Sequence, residues 1–411
     1  MKERLKIGVI GLGGRGHGIT NDPMLPMEDV DIIGVCDLYE DRTKRTADLV
    51  EEKRGVRPFE STNYKDILEL PLDAVLIITA WEPHIEIAIA AMKKGIPVGM
   101  EVGGAYSIED CWKLVNTYEE TGVPCMLLEN CCYGMREMMS MQMAKNGFFG
   151  DIVYCEGGYQ HDLRGEVSCG EENRHYRLRN YINRNCENYP THELGPIAKL
   201  LNINNGNRML TLSSMASCSK GLHQYILDTK GADDKLANVQ FSQGDIVRTN
   251  IKCANGELIS LILDTTLPRC YSRNYTVRGT KGMYQEDGGF FFKNGDNHDD
   301  LSVHYNNARD VYEKDTNNIH PLWKNYEAKG GHGGMDYLVY RAFVESVKEG
   351  TNPPIDVYDA AAWMSISCLS EKSIALGGMP VEIPDFTNGK WFNRTDIVDG
   401  PYSLDWRNNL K

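Results

Sequence analysis

A short apolar run, Ile7 to Ile10, passes directly into Gly11-Leu12-Gly13-Gly14-Arg15-Gly16, and this join constrains the chain more than any other stretch. A buried strand followed at once by a G-x-G-x-x-G turn feeds a helix, and each glycine then has a task. Gly11 makes the tight turn, Gly13 lets the backbone approach a pyrophosphate, and Gly16 lets the helix pack closely on the sheet. Gly14 and Arg15 complete the turn. The helix start presents unpaired N–H groups and a partial positive charge to the phosphates. A second apolar run, Val30 to Cys36, ends in Asp37, about 20 residues further on, where such folds place an acidic residue on the adenosine ribose. That carboxylate repels a 2′-phosphate. The combination predicts a dinucleotide site that prefers NAD to NADP.

The remainder of the chain limits the alternatives. Its 411 residues are enough for two domains. The expected division is a dinucleotide-binding domain over 1–130 and a substrate-binding domain over 131–411. A net charge of −14 argues against a nucleic-acid or anionic-membrane partner. No apolar run is long enough to span a bilayer. The N-terminus enters the first strand without a charged-then-apolar leader. The 12 cysteines are scattered, with Cys131 and Cys132 adjacent rather than in a CxxC pair. Small buried hydrophobes in a reducing compartment account for them, so a cytoplasmic protein without a metal site is expected.

Strand and helix patterns alternate through the first third, which predicts a parallel, Rossmann-type sheet. Strands are expected at Ala74 to Thr79, Val98 to Glu101 and Pro124 to Leu128. Helices are expected at Glu40 to Lys53, from the Trp81–His84 turn to Lys94, and at Ile108 to Thr121 after a Ser107 cap. Asp37, His84, Glu101 and Glu129 then fall at the ends of parallel strands, where such folds bind ligands. From Ile152 the rhythm changes to strand-like runs: Ile152 to Tyr159, Met209 to Met215, Ile246 to Cys253, Leu258 to Thr265 and Tyr275 to Val277. With few helices between them, they predict a large, mostly antiparallel sheet in an α+β domain. Helices are read at Glu193 to Asn202, Asp336 to Lys348 and Val357 to Leu376, the last two returning onto the sheet or the first domain. Asp287 to Asn297 and Asp299 to Asn318 read as hairpin tips or loops.

This organisation resembles the Gfo/Idh/MocA oxidoreductases. Those enzymes carry Glu-Lys-Pro where this chain reads Glu101-Val102-Gly103, so the lysine that serves as their acid/base is replaced by Val102. The same replacement marks glycoside hydrolase family 109, the NAD-dependent α-N-acetylgalactosaminidases. Further segments are similar to that branch: Trp81-Glu82-Pro83-His84, Leu128-Glu129-Asn130-Cys131-Cys132-Tyr133, Gln160-His161-Asp162-Leu163-Arg164, Tyr189-Pro190-Thr191-His192, Leu267-Pro268-Arg269-Cys270-Tyr271 and Gly331-His332-Gly333-Gly334-Met335-Asp336. The chain departs from the branch in a short stretch between Arg164 and Arg177, in Glu193 where a glycine is usual, and in having no export signal.

The resemblance implies roles for single residues, each of which also has a plainer reading. His192 suits proton transfer near neutrality, though it could simply cap a helix. Tyr189 is a second proton carrier or a core aromatic. Glu129 is an acid or orienting group beside the nicotinamide, or a strand-end residue. Tyr271 is catalytic and touches substrate, or packs in a turn. Tyr159, Arg177 and His332 hold the sugar, together with Tyr189 and His192, or make surface and loop contacts. Trp81, His84, Glu101, Val102 and Asn130 line the cofactor. The implied reaction is glycoside cleavage with recycled NAD: oxidation at C3, loss of the C2 proton, departure of the aglycone, addition of water and return of hydride. Such redox glycosidases are exceptions to the paired-carboxylate scheme. The rivals are a sugar or cyclitol dehydrogenase and a non-catalytic NAD-binding regulator. A small glycoside is the expected partner, and the open sheet face suits a homo-oligomer.

Overall fold

The computed structural model describes residues 4–396 and 400–405. The N-terminal part alternates strand and helix: β1 (Leu5–Ile10), α1 (Gly14–Ile19), β2 (Val30–Cys36), α2 (Glu40–Arg54), β3 (Phe59–Ser61), α3 (Tyr64–Ile67), β4 (Ala74–Ile77), α4 (His84–Lys93), β5 (Val98–Met100), α5 (Ile108–Thr121) and β6 (Cys125–Leu127). The six strands form one sheet in the order β3-β2-β1-β4-β5-β6, and every pairing is parallel. The order reverses between β1 and β4, which opens a crevice at their C-terminal ends. Local chemistry sets the helix limits. In α5 the Ser107 hydroxyl accepts from the Asp110 amide at 3.0 Å, and Gly122 stops the helix at a φ of +67°.

The chain then runs through α6 (Met135–Lys145), β7 (Ile152–Gln160), α7 (Arg164–Ser168), α8 (Arg177–Asn183), α9 (Thr191–Leu200), β8 (Met209–Ala216), α10 (Gly221–Lys230), β9 (Ile246–Cys253) and β10 (Leu258–Asp264). It continues with β11 (Thr276–Gly279), β12 (Gly282–Gln285), β13 (Phe290–Lys293), α11 (Asn307–Asp310), α12 (Pro321–Lys324), α13 (Met335–Glu349), α14 (Val357–Ala375) and β14 (Val381–Glu382). Eight strands build a second sheet in the order β13-β12-β11-β7-β10-β9-β8-β14. All its pairings are antiparallel except β7 with β10, which a long connection through α7–α10 and strands β8 and β9 brings side by side in parallel. Strand β9 shows the two faces: Val247, Thr249, Ile251 and Cys253 point inward, while Arg248, Asn250 and Lys252 face solvent.

Three expectations need correction. Asp287–Asn297 is not only a hairpin tip, because Phe290–Lys293 forms β13 and pairs with β12. The stretch Asp299–Asn318 holds short helical turns, including α11. Helices α7, α8 and α10 interrupt the second sheet more often than the strand rhythm suggests, since their apolar faces are short and their caps weak.

Helix α14 joins the two halves. It is buried around most of its length, with Trp363 fully buried, as expected of a helix enclosed between layers. Ile355 just before it accepts from the Leu127 amide of β6, and its Met364 carbonyl accepts from Ala105. On the other side its Ser373 hydroxyl accepts from the Ser214 amide of β8. No helix among the described residues is long and apolar enough to cross a membrane.

Candidate active site

At the end of β1 the glycine turn has the geometry that its sequence demands. Gly11 adopts a φ of +97°, and a Cβ there would strike the Ile78 backbone. A Cβ on Gly16 would collide with the Gly11 carbonyl. Gly14, by contrast, faces open space, with nothing within 4 Å of a Cβ built on it. Gly13 caps α1 without a side-chain bond, so no capping side chain takes the backbone N–H groups of its first turn, the groups that bind phosphate in such folds. The Asp37 carboxylate accepts from the Leu12 amide at 2.7 Å and the Tyr39 amide at 3.1 Å, with Arg42 at 3.9 Å. These residues fit a dinucleotide.

Arg15 reaches across the crevice. Its Nε donates to Glu101 at 3.1 Å, and Nη1 and Nη2 donate to Asp336 at 2.8 and 2.9 Å. Glu101 also accepts from the Tyr340 hydroxyl and the Val102 amide. Asn130 donates to Asp336 at 2.7 Å, and His332 Nδ1 lies 2.8 Å from the same carboxylate. Arg15, Glu101, Val102 and Asn130, the residues expected to line the cofactor, thus lie together at the crevice. His332, expected against the sugar, lies 3.5 Å from Arg15 Nη1 as well as beside Asp336. Trp81 is buried and stacks on Tyr189 at 5.6 Å. His84 is fully buried, with Nε2 3.1 Å from the Thr79 carbonyl. Burial pushes its imidazole down to about 4 against that bond, so it is neutral and braces the turn after β4.

Glu129 follows β6, and its extended backbone lets Oε1 accept from the Cys131 amide at 3.0 Å. The same oxygen lies 2.7 Å from His192 Nδ1. His192 sits in the first turn of α9, which starts two residues earlier than its sequence suggests, just after Pro190. Its Nε2 is 3.4 Å from the Tyr189 hydroxyl. Burial alone would raise the Glu129 carboxyl, but the facing His192 and the bonds it receives outweigh this and hold it below its ordinary value. An ionised Glu129 accepts the Nδ1 proton and leaves the Nε2 lone pair toward Tyr189 and the cleft.

An aromatic box surrounds this line. Tyr159 lies 4.5 Å from Tyr189 and 5.7 Å from His192, ring to ring. The Arg177 guanidinium carbon is 5.0 Å from the Tyr189 ring centre and 5.2 Å from that of Trp81, while Nε pairs with Glu166 at 2.8 Å. The Tyr159 hydroxyl meets His161 at 3.2 Å, and His161 stands edge-on to Tyr271 at 5.1 Å. Tyr271 is half exposed at the rim.

Sequence reasoning passed over Asp336, Tyr340, Tyr176, Glu166 and His161. Tyr340 lies within the helix expected from Asp336 to Lys348, and Tyr176, whose ring is 4.7 Å from that of Trp81, falls in no motif. Asp336 and His161 lie inside segments already singled out, one helical turn or two residues from the residues weighed there, so only geometry reveals them. Glu193, singled out for replacing a glycine, is buried in α9, and neither carboxyl oxygen makes a hydrogen bond among the described residues.

Residues 5–128 match the NAD-binding Rossmann fold of an oxidoreductase family, and residues 133–393 match the glycosyl hydrolase 109 C-terminal domain. An alpha-N-acetylgalactosaminidase of Tannerella forsythia is 38% identical, over 95% of this chain and 88% of its own. A glycosyl hydrolase family 109 protein of Parabacteroides distasonis is 37% identical with the same coverage. A levoglucosan dehydrogenase structure bound to NADH and levoglucosan shares the fold at a TM-score of 0.67 and 18% identity, covering 93% of this chain and 100% of that one. A myo-inositol 2-dehydrogenase from Lactobacillus plantarum does so at 0.62 and 16%, also over 93% of this chain and all of its own. The chain belongs to glycosyl hydrolase family 109, glycosidases in which an oxidoreductase-type NAD-binding domain is joined to a distinctive C-terminal domain.

Proposed function

We propose that the protein cleaves an α-N-acetylgalactosaminide or a related glycoside through transient oxidation of the terminal sugar at C3. The observation that carries this reading is the buried line Glu129–His192–Tyr189. A nicotinamide dinucleotide held by the glycine turn and Asp37 would supply the hydride acceptor for this chemistry and the donor at its end. His192 Nε2 takes the proton of the C3 hydroxyl, and the carboxylate of Glu129 stabilises the positive charge that this creates. The C3 ketone acidifies the C2 proton. Tyr189 is the second proton carrier and takes that proton as a phenolate: burial, then the neighbouring Tyr159, raises its phenol well above the ordinary value and works against that form, while the Arg177 charge favours it. The aglycone leaves C1 with the proton taken from C2, water adds its hydroxyl to C1 and its proton to C2, and His192 returns its proton as the ketone is reduced. Val102, in place of the lysine of related dehydrogenases, leaves His192 as the base for the first step. The relative's name, alpha-N-acetylgalactosaminidase, supports the choice of sugar.

The test is turnover of aryl glycosides in deuterated water, with NADH followed by absorbance. Released sugar carrying deuterium at C2, with no net NADH, is expected. Stoichiometric NADH without sugar release would make the protein a dehydrogenase.

A further inference from the structure

The phosphate turn is gripped by a residue 321 positions away. Asp336, at the second position of α13, is only 2% exposed and receives Arg15 through both Nη atoms, Asn130 and His332. The third Arg15 donor, Nε, goes to Glu101. One guanidinium thus faces two carboxylates, so its charge is neutralised within the protein and it acts as an anchor for the turn rather than a free phosphate ligand. The chain bends sharply to make this contact. Gly330, His332, Gly333 and Gly334 all lie in the left-handed region, with φ of +77°, +53°, +64° and +99°, and a histidine there is strained. The turn Gly331–Gly334 folds His332 back onto the carboxylate that holds Arg15.

We infer that Asp336 is a latch for the dinucleotide: it fixes the first turn of α1 in its phosphate-binding shape and slows cofactor release. It is a positioning residue, since it acts through Arg15. The inference rests on the cofactor reading above and goes beyond it by assigning part of cofactor retention to the C-terminal domain.

The experiment loads the full-length protein with NADH, chases with excess NAD⁺ and follows the decay of bound-nicotinamide fluorescence. Asp336→Asn removes the charge but keeps the shape, and is expected to release NADH at least tenfold faster. His332→Ala, truncating a half-exposed side chain, is expected to release it about threefold faster. Val344→Ala, a buried apolar change in the same helix, lowers the melting temperature but leaves release unchanged. Release from both latch variants at the wild-type rate, or slower, overturns the inference, as does equal acceleration by Val344→Ala. If Asp336→Asn fails to fold, His332→Ala alone decides. A wild-type protein that takes up no NADH defeats the cofactor reading itself, a different outcome from binding with unaltered release.

Discussion

Replacing Glu129 by Gln separates charge from shape at the proposed catalytic line. The amide oxygen can keep both the Cys131 amide and His192 Nδ1 as donors, so the ring stays oriented while the negative charge disappears. Two limits bound the effect. A charge-assisted hydrogen bond exceeds a neutral one by about 1–1.5 kcal/mol, which is roughly tenfold in rate. Opposite charges about 4 Å apart in an effective dielectric of about 20 attract by about 4 kcal/mol, or close to a thousandfold. Glu129 is fully buried and its bond to His192 is 2.7 Å long, so the loss should lie toward the upper limit. Glu129→Ala also frees the ring to turn, and should cost about 10²–10⁴-fold. The assay is single-turnover formation of bound NADH after mixing with a glycoside, run beside NAD⁺ affinity. Binding of NAD⁺ should change little, because the glycine turn and Asp37 are untouched. An oxidation rate for Glu129→Gln within threefold of wild type would refute the idea that the buried charge assists proton removal.

Three further outcomes are expected. Asp37→Ala should relax the preference for NAD over NADP, because Arg42 at 3.9 Å then faces a 2′-phosphate without a competing carboxylate; unchanged selectivity in fluorescence titrations counts against it. Tyr189→Phe should keep C3 oxidation but block solvent exchange at C2, leaving bound NADH; normal deuterium uptake measured by NMR would remove Tyr189 from that step. Burial, then the neighbouring Glu187 charge, raises the Glu193 carboxyl well above its ordinary value, and Glu187 is itself pushed up to about 8 by burial. The folded state therefore holds more protons than the unfolded one between the ordinary carboxyl range and about pH 8, so stability falls as pH rises through that window. Glu193→Gln should raise the melting temperature more at pH 8 than at pH 5, and an equal effect at both would show that Glu193 is not the titrating group.

What could be read from the sequence was what short-range physics specifies. Helix α5 lies where Ser107 and Gly122 place it, and β9 spans Ile246–Cys253 as its alternation requires. The glycine turn could be read because backbone sterics at Gly11 and Gly16 leave no other residue type. Helix α6 escaped notice because its methionines are spread around it and Gly134 offers no side-chain cap. Strand β13 escaped because three phenylalanines in a glycine-rich stretch become a strand only when β12 lies beside them. The placement of His332 could not be inferred, since its partners Asp336 and Arg15 are joined by tertiary contact and no periodicity records that pairing.

The enclosure of α14 between the two sheets bears on how the chain matures during synthesis. All six strands of the first sheet have been made once residue 127 is added, yet the helix that covers α5 and β6 spans residues 357–375. Domains commonly fold as they leave the ribosome, N-terminal one first. Until α14 emerges, late in the polypeptide, the flank of α5 and β6 that it covers lacks that partner. The cover of the first sheet and the last strand of the second, β14, therefore both come late in synthesis. A truncated chain ending before α14 presents that bare flank to chaperones and proteases.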